Sequence, residues 1–396
     1  KKQIKTYNTI KLTNTKEKIK FSQFIKKKNL TDALSINNII YLSDIQKSCL
    51  PHALVGLDLI CQAKSGMGKT TLGIIIVLAQ VKVNNDVIQS LFMTPNRELS
   101  QQIYDSIKRY IDTEHFIKSF CIIGGIDKKT QQKKLGIVKP NIIIGTPGRI
   151  HELITSRTLD CSKVRYLIID ECDKIFESYN LRSNIQIINH NLPVNKQVLL
   201  LSATLPAKII KICRKYTNDA LEILIDDNTK FFLIGQKQYY FRINEIVKIE
   251  LLIKVLNRIN DNKILLFVNT IKRGRSMNRI LINFGFKSVC IHSRMNQKNR
   301  FRTLDMFKNN NKTVLIATDL ASRGWDLPTV NAVINFDMPY YKKNIDKSSI
   351  CYLHRLGRIG RFGNKGLVIN LITKHFDYVL LKKIKKKYKI DIKKVT

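Results

Sequence analysis

The octapeptide AKSGMGKT at 63–70 constrains this chain more than any other feature, because DLICQA precedes it and the apolar run TLGIIIVLAQ follows it. A β-rich run, a glycine-rich loop and a helix in that order are the context that a phosphate-binding P-loop requires. Its members are Ala63, Lys64, Ser65, Gly66, Met67, Gly68, Lys69 and Thr70. Gly66 and Gly68 allow the backbone to turn tightly with its N–H groups toward phosphate oxygens. Lys69 then reaches the β- and γ-phosphates, and Thr70 is placed to ligate Mg²⁺. Such a loop belongs to a parallel sheet covered by helices, and the rest of the chain carries that pattern. DLICQA, SLFMT, FCIIG, NIIIG, YLIIDE, QVLLLSAT and LEILID alternate with helix-length amphipathic segments. The alternation restarts with QYYFRI, KILLFVN, SVCIH, TVLIAT, AVINF and GLVINLIT. The expected fold is α/β, with two similar domains in tandem, each a mostly parallel sheet with helices on both faces.

The expected boundaries follow from where the pattern stops and restarts. Residues 1–20 form a short basic extension, 21–226 the first domain, 227–236 a linker with Gly235 as a hinge, and 237–396 the second domain. The closing stretch, LLKKIKKKYKIDIKKVT, is expected to be a helix that frays into a basic tail.

Charge narrows the partner. Lys and Arg number 69 against 30 Asp and Glu, a formal net charge of +39. Such a surface binds polyanions by releasing their counterions, whether or not the lysines also reflect a biased codon supply. In that setting the segment LIIDECD at 167–173 demands an explanation for its three carboxylates. A carboxylate at the carboxyl end of a parallel strand faces the ligand crevice, so Asp170 can hold the Mg²⁺ of a P-loop nucleotide. Glu171 is then placed to orient and deprotonate the attacking water. Asp173 is expected to make interdomain or Ser/Thr contacts, and Cys172 to pack as a small residue.

The eight cysteines lie far apart, with no CxxC pair and no clustered histidine spacing, which argues for reduced thiols and no zinc. The opening KKQIKTYNTIKLTNTK holds no apolar leader core, and LGIIIVLAQV is too short to span a bilayer. The expectation is a protein that is neither secreted nor membrane-bound.

With these residues in view, the chain resembles the superfamily-2 RNA helicases of the DEAD-box family, and within it the DECD branch that serves nuclear mRNA splicing and export. Besides the P-loop and Asp-Glu-Cys-Asp, the resemblance rests on TPNREL at 94–99, Gly124 and Gly125, TPGR at 146–149 and SAT at 202–204. It continues with FVN at 267–269, QKNR at 297–300, ATDLASRGWD at 317–326 and HRLGRIGR at 354–361, in order and at strand ends. The linker segment TKFFLIGQKQYY adds to it.

The resemblance implies two RecA-like domains and an RNA-stimulated ATPase that unwinds short RNA duplexes and remodels RNA–protein complexes, using ATP and Mg²⁺. It places Phe21 stacked on the base, Gln46 on the adenine edge and Asp326 on the ribose. Arg358 and Arg361 become arginine fingers, which in other enzymes contribute roughly 10³ to 10⁵ in rate. Ser202, Thr204, His354 and Arg355, with Asp173, take coupling roles. RNA contacts fall to Pro95, Arg97, Gly125, Thr146, Gly148 and Arg149 in the first domain and to Gln297, Arg300 and Thr318 in the second. Such contacts hold phosphates and do not read bases. The resemblance also implies a monomer, splicing and mRNA-export proteins as partners, and a nuclear or nucleus-like reduced compartment. The alternative reading is an ATP-gated RNA clamp that serves as an assembly platform with little unwinding.

Several positions depart from the family pattern. NIIYLSDIQ at 38–46 lacks the Gly-aromatic pair and the Pro that usually precede Gln46. Asn96 stands in place of Thr, Arg294 in place of Gly and Trp325 in place of an aliphatic residue. Lysines replace the acidic end.

Overall fold

The computed structural model describes residues 9–11, 18–63, 66–82, 86–111, 117–224, 236–259, 263–309, 313–319, 330–341, 344–359, 366–388 and 390–395, with the backbone alone at 9–11 and at Gln297. Two compact units divide the chain, 1–226 and 227–396. The expected linker lies outside the described residues apart from Gln236.

Strands of the first unit are β1 (Thr9–Lys11), β2 (Leu59–Gln62), β3 (Ser90–Met93), β4 (Ser119–Ile122), β5 (Ile142–Gly145), β6 (Tyr166–Asp170), β7 (Gln197–Ser202) and β8 (Leu221–Leu224). They form one sheet in the order β1-β8-β2-β7-β6-β3-β5-β4, and every pairing is parallel. Successive side chains of a strand point to opposite faces, so one strand feeds two cores. Leu199 and Leu201 of β7 join Leu72, Ile75 and Phe92 on one face. Val198 and Leu200 join Leu167, Ile169 and Ile185 on the other. Burial on both faces is why these strands read as unbroken apolar runs rather than as alternating ones.

The second unit contains β9 (Gln236–Arg242), β10 (Ile264–Phe267), β11 (Ser288–Ile291), β12 (Val314–Ala317), β13 (Ala332–Asn335), β14 (Gly366–Ile372) and β15 (Ile392–Val395). Their order is β11-β12-β10-β13-β14-β9-β15, again with parallel pairings only. The fold is therefore α/β in both units, with sheets more uniformly parallel than expected. Among the described residues the one antiparallel contact is an isolated bridge between Lys20 and Tyr41.

Two edge strands depart from the expectation. β1 comes from the stretch expected to be a loose extension and pairs with β8, Thr9 opposite Glu222. The closing lysine-rich stretch does not fray. The helix His375–Tyr388 buries Leu380, Leu381 and Ile384, and β15 then pairs with β9, Ile392 opposite Gln238. The lysines coat the outside of an element whose apolar residues complete the core of the unit.

Candidate nucleotide and nucleic-acid site

In an open parallel sheet ligands bind beyond the carboxyl ends of the strands. The sequence-predicted residues of the first unit fall there in two adjacent groups. The ends of β2, β6 and β7 carry the P-loop, Asp170 and Ser202. The ends of β3 and β5, with the turn after β4, carry Pro95, Thr146 and Gly125.

In the first group Gly66 and Gly68 have φ of +85° and +86°, a region that side-chain-bearing residues avoid. At Gly68 a Cβ would stand 2.6 Å from Gln46 Nε2. Glycine is thus required there both by the turn and by the neighbour. The helix Lys69–Gln80 begins as the loop ends, which directs its first N–H groups and its positive end at the place a phosphate would occupy. Lys69 is buried, with its ammonium donating to the Ala63 carbonyl. Thr70 Oγ1 donates to Asp170 Oδ2 at 2.5 Å, and the Glu171 N–H donates to Asp170 Oδ1 at 2.8 Å. Burial pushes the Asp170 carboxyl up to about 6, partly offset by the Thr70 hydrogen bond. A buried carboxylate beside a hydroxyl is a hard-oxygen donor pair, and its suppressed ionisation is relieved by a cation. Thr70 and Asp170 fit Mg²⁺ on that ground.

Glu171 adopts φ +49°, left-handed, and caps the helix Cys172–Glu177. Its carboxylate is held by Lys174 Nζ at 2.6 Å, a partner the sequence reading missed although the i,i+3 spacing on a helix was its signal. Asp173 accepts from Thr204 Oγ1 at 2.9 Å, while the Ser202 hydroxyl accepts from the Thr204 N–H at 3.1 Å and donates to the Thr204 carbonyl at 2.9 Å. Of the two kinds of contact expected for Asp173, the Ser/Thr one is present. Cys172 is fully buried in the core.

Gln46 lies against the P-loop. Its Oε1 accepts from the Ser43 N–H at 2.9 Å, closing a capping box, and its Nε2 donates to the Gly68 carbonyl at 3.1 Å. Ser43 Oγ donates to the Met67 carbonyl at 2.7 Å, so the segment before Gln46 is tied to the loop despite its unusual sequence. Phe21, expected to stack on the base, lies in the core beside the first group. It is 2% exposed and packs with Ile25, Leu30 and Leu34, because an apolar ring gains more from the core than from a half-wet surface. Lys64, Ser65, Asp326 and Arg361 lie outside the described residues.

The second group is joined by arginines. Arg97 lies across the turn after β4, its Nη2 3.0 Å from where a Cβ on Gly124 would stand, and Gly125 completes that turn at φ +85°. Arg149 donates through Nη1 to the Ile126 carbonyl at 2.9 Å and to Gln131 Oε1 at 2.8 Å, and its Nε pairs with Glu152 at 2.9 Å. Thr146 caps the helix Pro147–Thr155, whose exposed Gly148 lies in the first turn, where N–H groups have no intrahelical acceptor. Asn96 Oδ1 accepts from the Leu99 N–H at 2.8 Å, so the departure from Thr preserves a helix cap.

In the second unit Arg355 is fully enclosed. Nε donates to Asp319 Oδ1 at 2.6 Å, Nη1 to Asn335 Oδ1 at 2.8 Å and to the Asp337 carbonyl at 2.6 Å, and Nη2 to Asn269 Oδ1 at 3.3 Å. One guanidinium thereby ties the carboxyl ends of β10, β12 and β13 together. Arg358, on the turn after the helix Ile345–Leu356, is also buried, and Gln236 Nε2 braces that turn at the carbonyls of Leu356 and Ile359. Thr318 ends β12, and Arg300 lies on the helix Gln297–Lys308. Nearby, Arg275 Nε donates to His292 Nε2 at 3.1 Å. Burial first, and then Arg275, Arg300 and Arg294, hold the imidazole pKa below its ordinary value. His354 stands at half-buried depth on the helix Ile345–Leu356.

Comparison with known proteins agrees with this geometry. The DEAD/DEAH box helicase model matches residues 43–212 and the Helicase conserved C-terminal domain model matches 247–363. The chain is 37% identical over 375 residues to the DEAD-box ATP-dependent RNA helicase 15 of Arabidopsis thaliana, covering 95% of this chain and 86% of that one. It is 35% identical over 374 residues to the ATP-dependent RNA helicase uap56 of Schizosaccharomyces pombe, covering 94% and 85%. Among solved structures, S. cerevisiae Dbp5 bound to RNA and ADP BeF3 superposes with a TM-score of 0.88 at 26% identity, covering 95% of both chains. With a P-loop, an Asp-Glu pair and an arginine-bearing second sheet placed as described, the chain belongs to the DEAD-box family of ATP-dependent RNA helicases.

Proposed function

We propose that the chain hydrolyses ATP to separate short RNA duplexes and remodel RNA–protein complexes, in nuclear mRNA splicing and export. The observation that carries this reading is the placement of a nucleotide group and a phosphate-contact group side by side on the carboxyl edge of one sheet. In the first, Lys69 and the P-loop N–H groups bind the phosphates, and Gln46 holds the loop closed. Thr70 and Asp170 would hold Mg²⁺, which supplies charge neutralisation at phosphate oxygens. Glu171 takes the proton of the attacking water. Arg358, with Arg361, stabilises charge on the terminal phosphate.

In the second group Pro95, Arg97, Gly125, Thr146, Gly148 and Arg149 engage the RNA backbone, joined by Gln297, Arg300 and Thr318 of the second unit. Ser202, Thr204 and Asp173, bonded to one another beside the first group, take the coupling role, and Arg355 with His354 takes it in the second unit. Asp326 would take the ribose. The chain acts as a monomer with splicing and export proteins in the nucleus, a reading that its likeness to uap56 supports. Among the described residues no helix is long and apolar enough to cross a membrane.

The test is an ATPase titration of the full chain with single-stranded RNA and with DNA of the same sequence. Stimulation by RNA and not by DNA is expected. Equal stimulation by both would reassign the substrate, because phosphates alone do not distinguish the two backbones.

A further inference from the structure

Away from both groups, the second unit carries a cavity of about 450 Å³ between β9 and the helix His375–Tyr388. Its floor is Leu381 and Ile390, its walls include Tyr240 and Tyr378, and lysines form its rim. Three of those lysines, Lys382, Lys385 and Lys386, come from one helical face. Like charges one turn apart, as at Lys382 and Lys386, repel by a few tenths of a kcal/mol, which the favourable placing of Lys386 in the last turn of the helix offsets, so the pair keeps a positive potential over the cavity. Lys385 is fixed inward, donating to the Ile392 carbonyl at 2.9 Å. Lys382 and Arg242 instead stand over the Tyr378 ring, 4.7 and 5.1 Å from its centroid.

Among the described residues none of Arg242, Lys382 and Lys386 is paired with a carboxylate. The neighbouring Lys383, on another flank, is paired with Asp346 at 2.9 Å. Asp377 of the same helix is turned inward, accepting from the N–H groups of Thr373 and Lys374. An apolar floor with half-buried tyrosines under a rim of cations is the composition that holds a single strand, the rings taking bases and the cations phosphates.

We propose that this cavity is a second binding site for single-stranded RNA, taking one base between Tyr378 and Tyr240 as Lys382 swings from over the Tyr378 ring to a flanking phosphate, with Lys386 on the next phosphate. The proposal rests on the reading of RNA as the substrate. An RNA strand, rather than an acidic peptide, suits the site because the tyrosines present flat rings at its walls, which carboxylates do not use. The consequence is that a long RNA is held at two places and a short one at the main site only.

The test uses the full chain with unstructured RNAs of about 6 and about 24 nucleotides, bound across a salt series. Lys382→Glu with Lys386→Glu should weaken the long strand about tenfold and lower its salt slope by about 1.4, two phosphates at about 0.7 each. The short strand's affinity and the turnover rate at saturating RNA should not change. Tyr378→Ala should weaken the long strand about tenfold, whereas Tyr378→Phe, which keeps the ring, should not. A 4-thiouridine placed in the long strand should crosslink to the helix bearing Tyr378.

An unchanged slope, an equal loss for both strand lengths, or displacement of the crosslink by polyglutamate but not by unlabelled RNA overturns the proposal. Arg97→Ala tests the main RNA surface separately. If it leaves short-strand binding intact that reading fails, and the crosslink still reports on this cavity alone.

Discussion

Thr70 donates its hydroxyl to Asp170 Oδ2 at 2.5 Å, joining the first turn of the P-loop helix to the end of β6 across 100 positions of sequence. This contact brings the loop that holds phosphate to the strand that holds acid, and it makes the roles of their neighbours separable.

Lys69→Ala should nearly abolish ATP binding, because the buried ammonium is the cation within reach of the phosphates on the P-loop. Glu171→Gln should leave binding within about twofold and slow turnover about 10²-fold or more, since only proton transfer is lost. Nucleotide titration beside single-turnover hydrolysis separates the two. Equal loss of binding in both variants would remove Glu171 from the role of base.

Arg358→Ala should lower the rate at saturating ATP and RNA by about 10³-fold or more while RNA affinity stays within a few fold. Stimulation by RNA should vanish with it. A variant that still responds to RNA would show that charge on the terminal phosphate is stabilised elsewhere.

Removing residues 381–396 should unfold the second unit rather than merely weaken RNA binding. Leu381, Ile384, Ile390 and Ile392 are buried. At roughly 1.5–3 kcal/mol per side chain they contribute about as much as the whole net stability of a domain, about 5–15 kcal/mol. Far-UV circular dichroism and limited proteolysis would reveal the loss. A truncated chain with native melting would mean that the end of the chain is dispensable for folding.

Arg355→Met should cost about 3–5 kcal/mol, because it strips half-buried Asp319, buried Asn335, Asn269 and the Asp337 carbonyl of the one charged donor that all four share. Arg355→Lys should recover little, since one ammonium cannot span four acceptors. Denaturant unfolding of the full chain, followed on the second unit's transition, measures both.

His292 should make the second unit acid-sensitive. Its pKa is lowered by burial and by Arg275, Arg300 and Arg294, so in the acidic range the unfolded chain binds a proton that the folded one does not. Its contribution is present above the ordinary imidazole pKa of about 6.5 and is lost as pH falls through the lower folded value. Unfolding at about pH 7.5 and about pH 5.5 should show a drop that His292→Gln reduces. An identical drop in the variant would assign the sensitivity to carboxylates.

Much of this protein is determined locally and was legible as such. The seven expected runs of the first unit, from DLICQA to LEILID, coincide with β2–β8, because strands covered on both faces are written mostly in apolar residues, polar ones falling chiefly at their ends. The P-loop is equally local, since its turn needs Gly66 and Gly68 whatever surrounds it. What sequence could not decide is where half-buried and polar groups find partners. β1 and β15 lie at sheet edges and are only three and four residues long, and in β15 the buried Ile392 stands beside two exposed lysines, so neither stands out as an apolar run. Phe21 carries the same residue type whether it stacks on a ligand or fills the core, and its packing with Ile25 and Leu34 is visible only in the tertiary structure. Arg355 reads as one arginine among several until β10, β12 and β13 converge on it. Backbone preference acts over a few residues, whereas burying a charge depends on strands that the chain brings together from far apart.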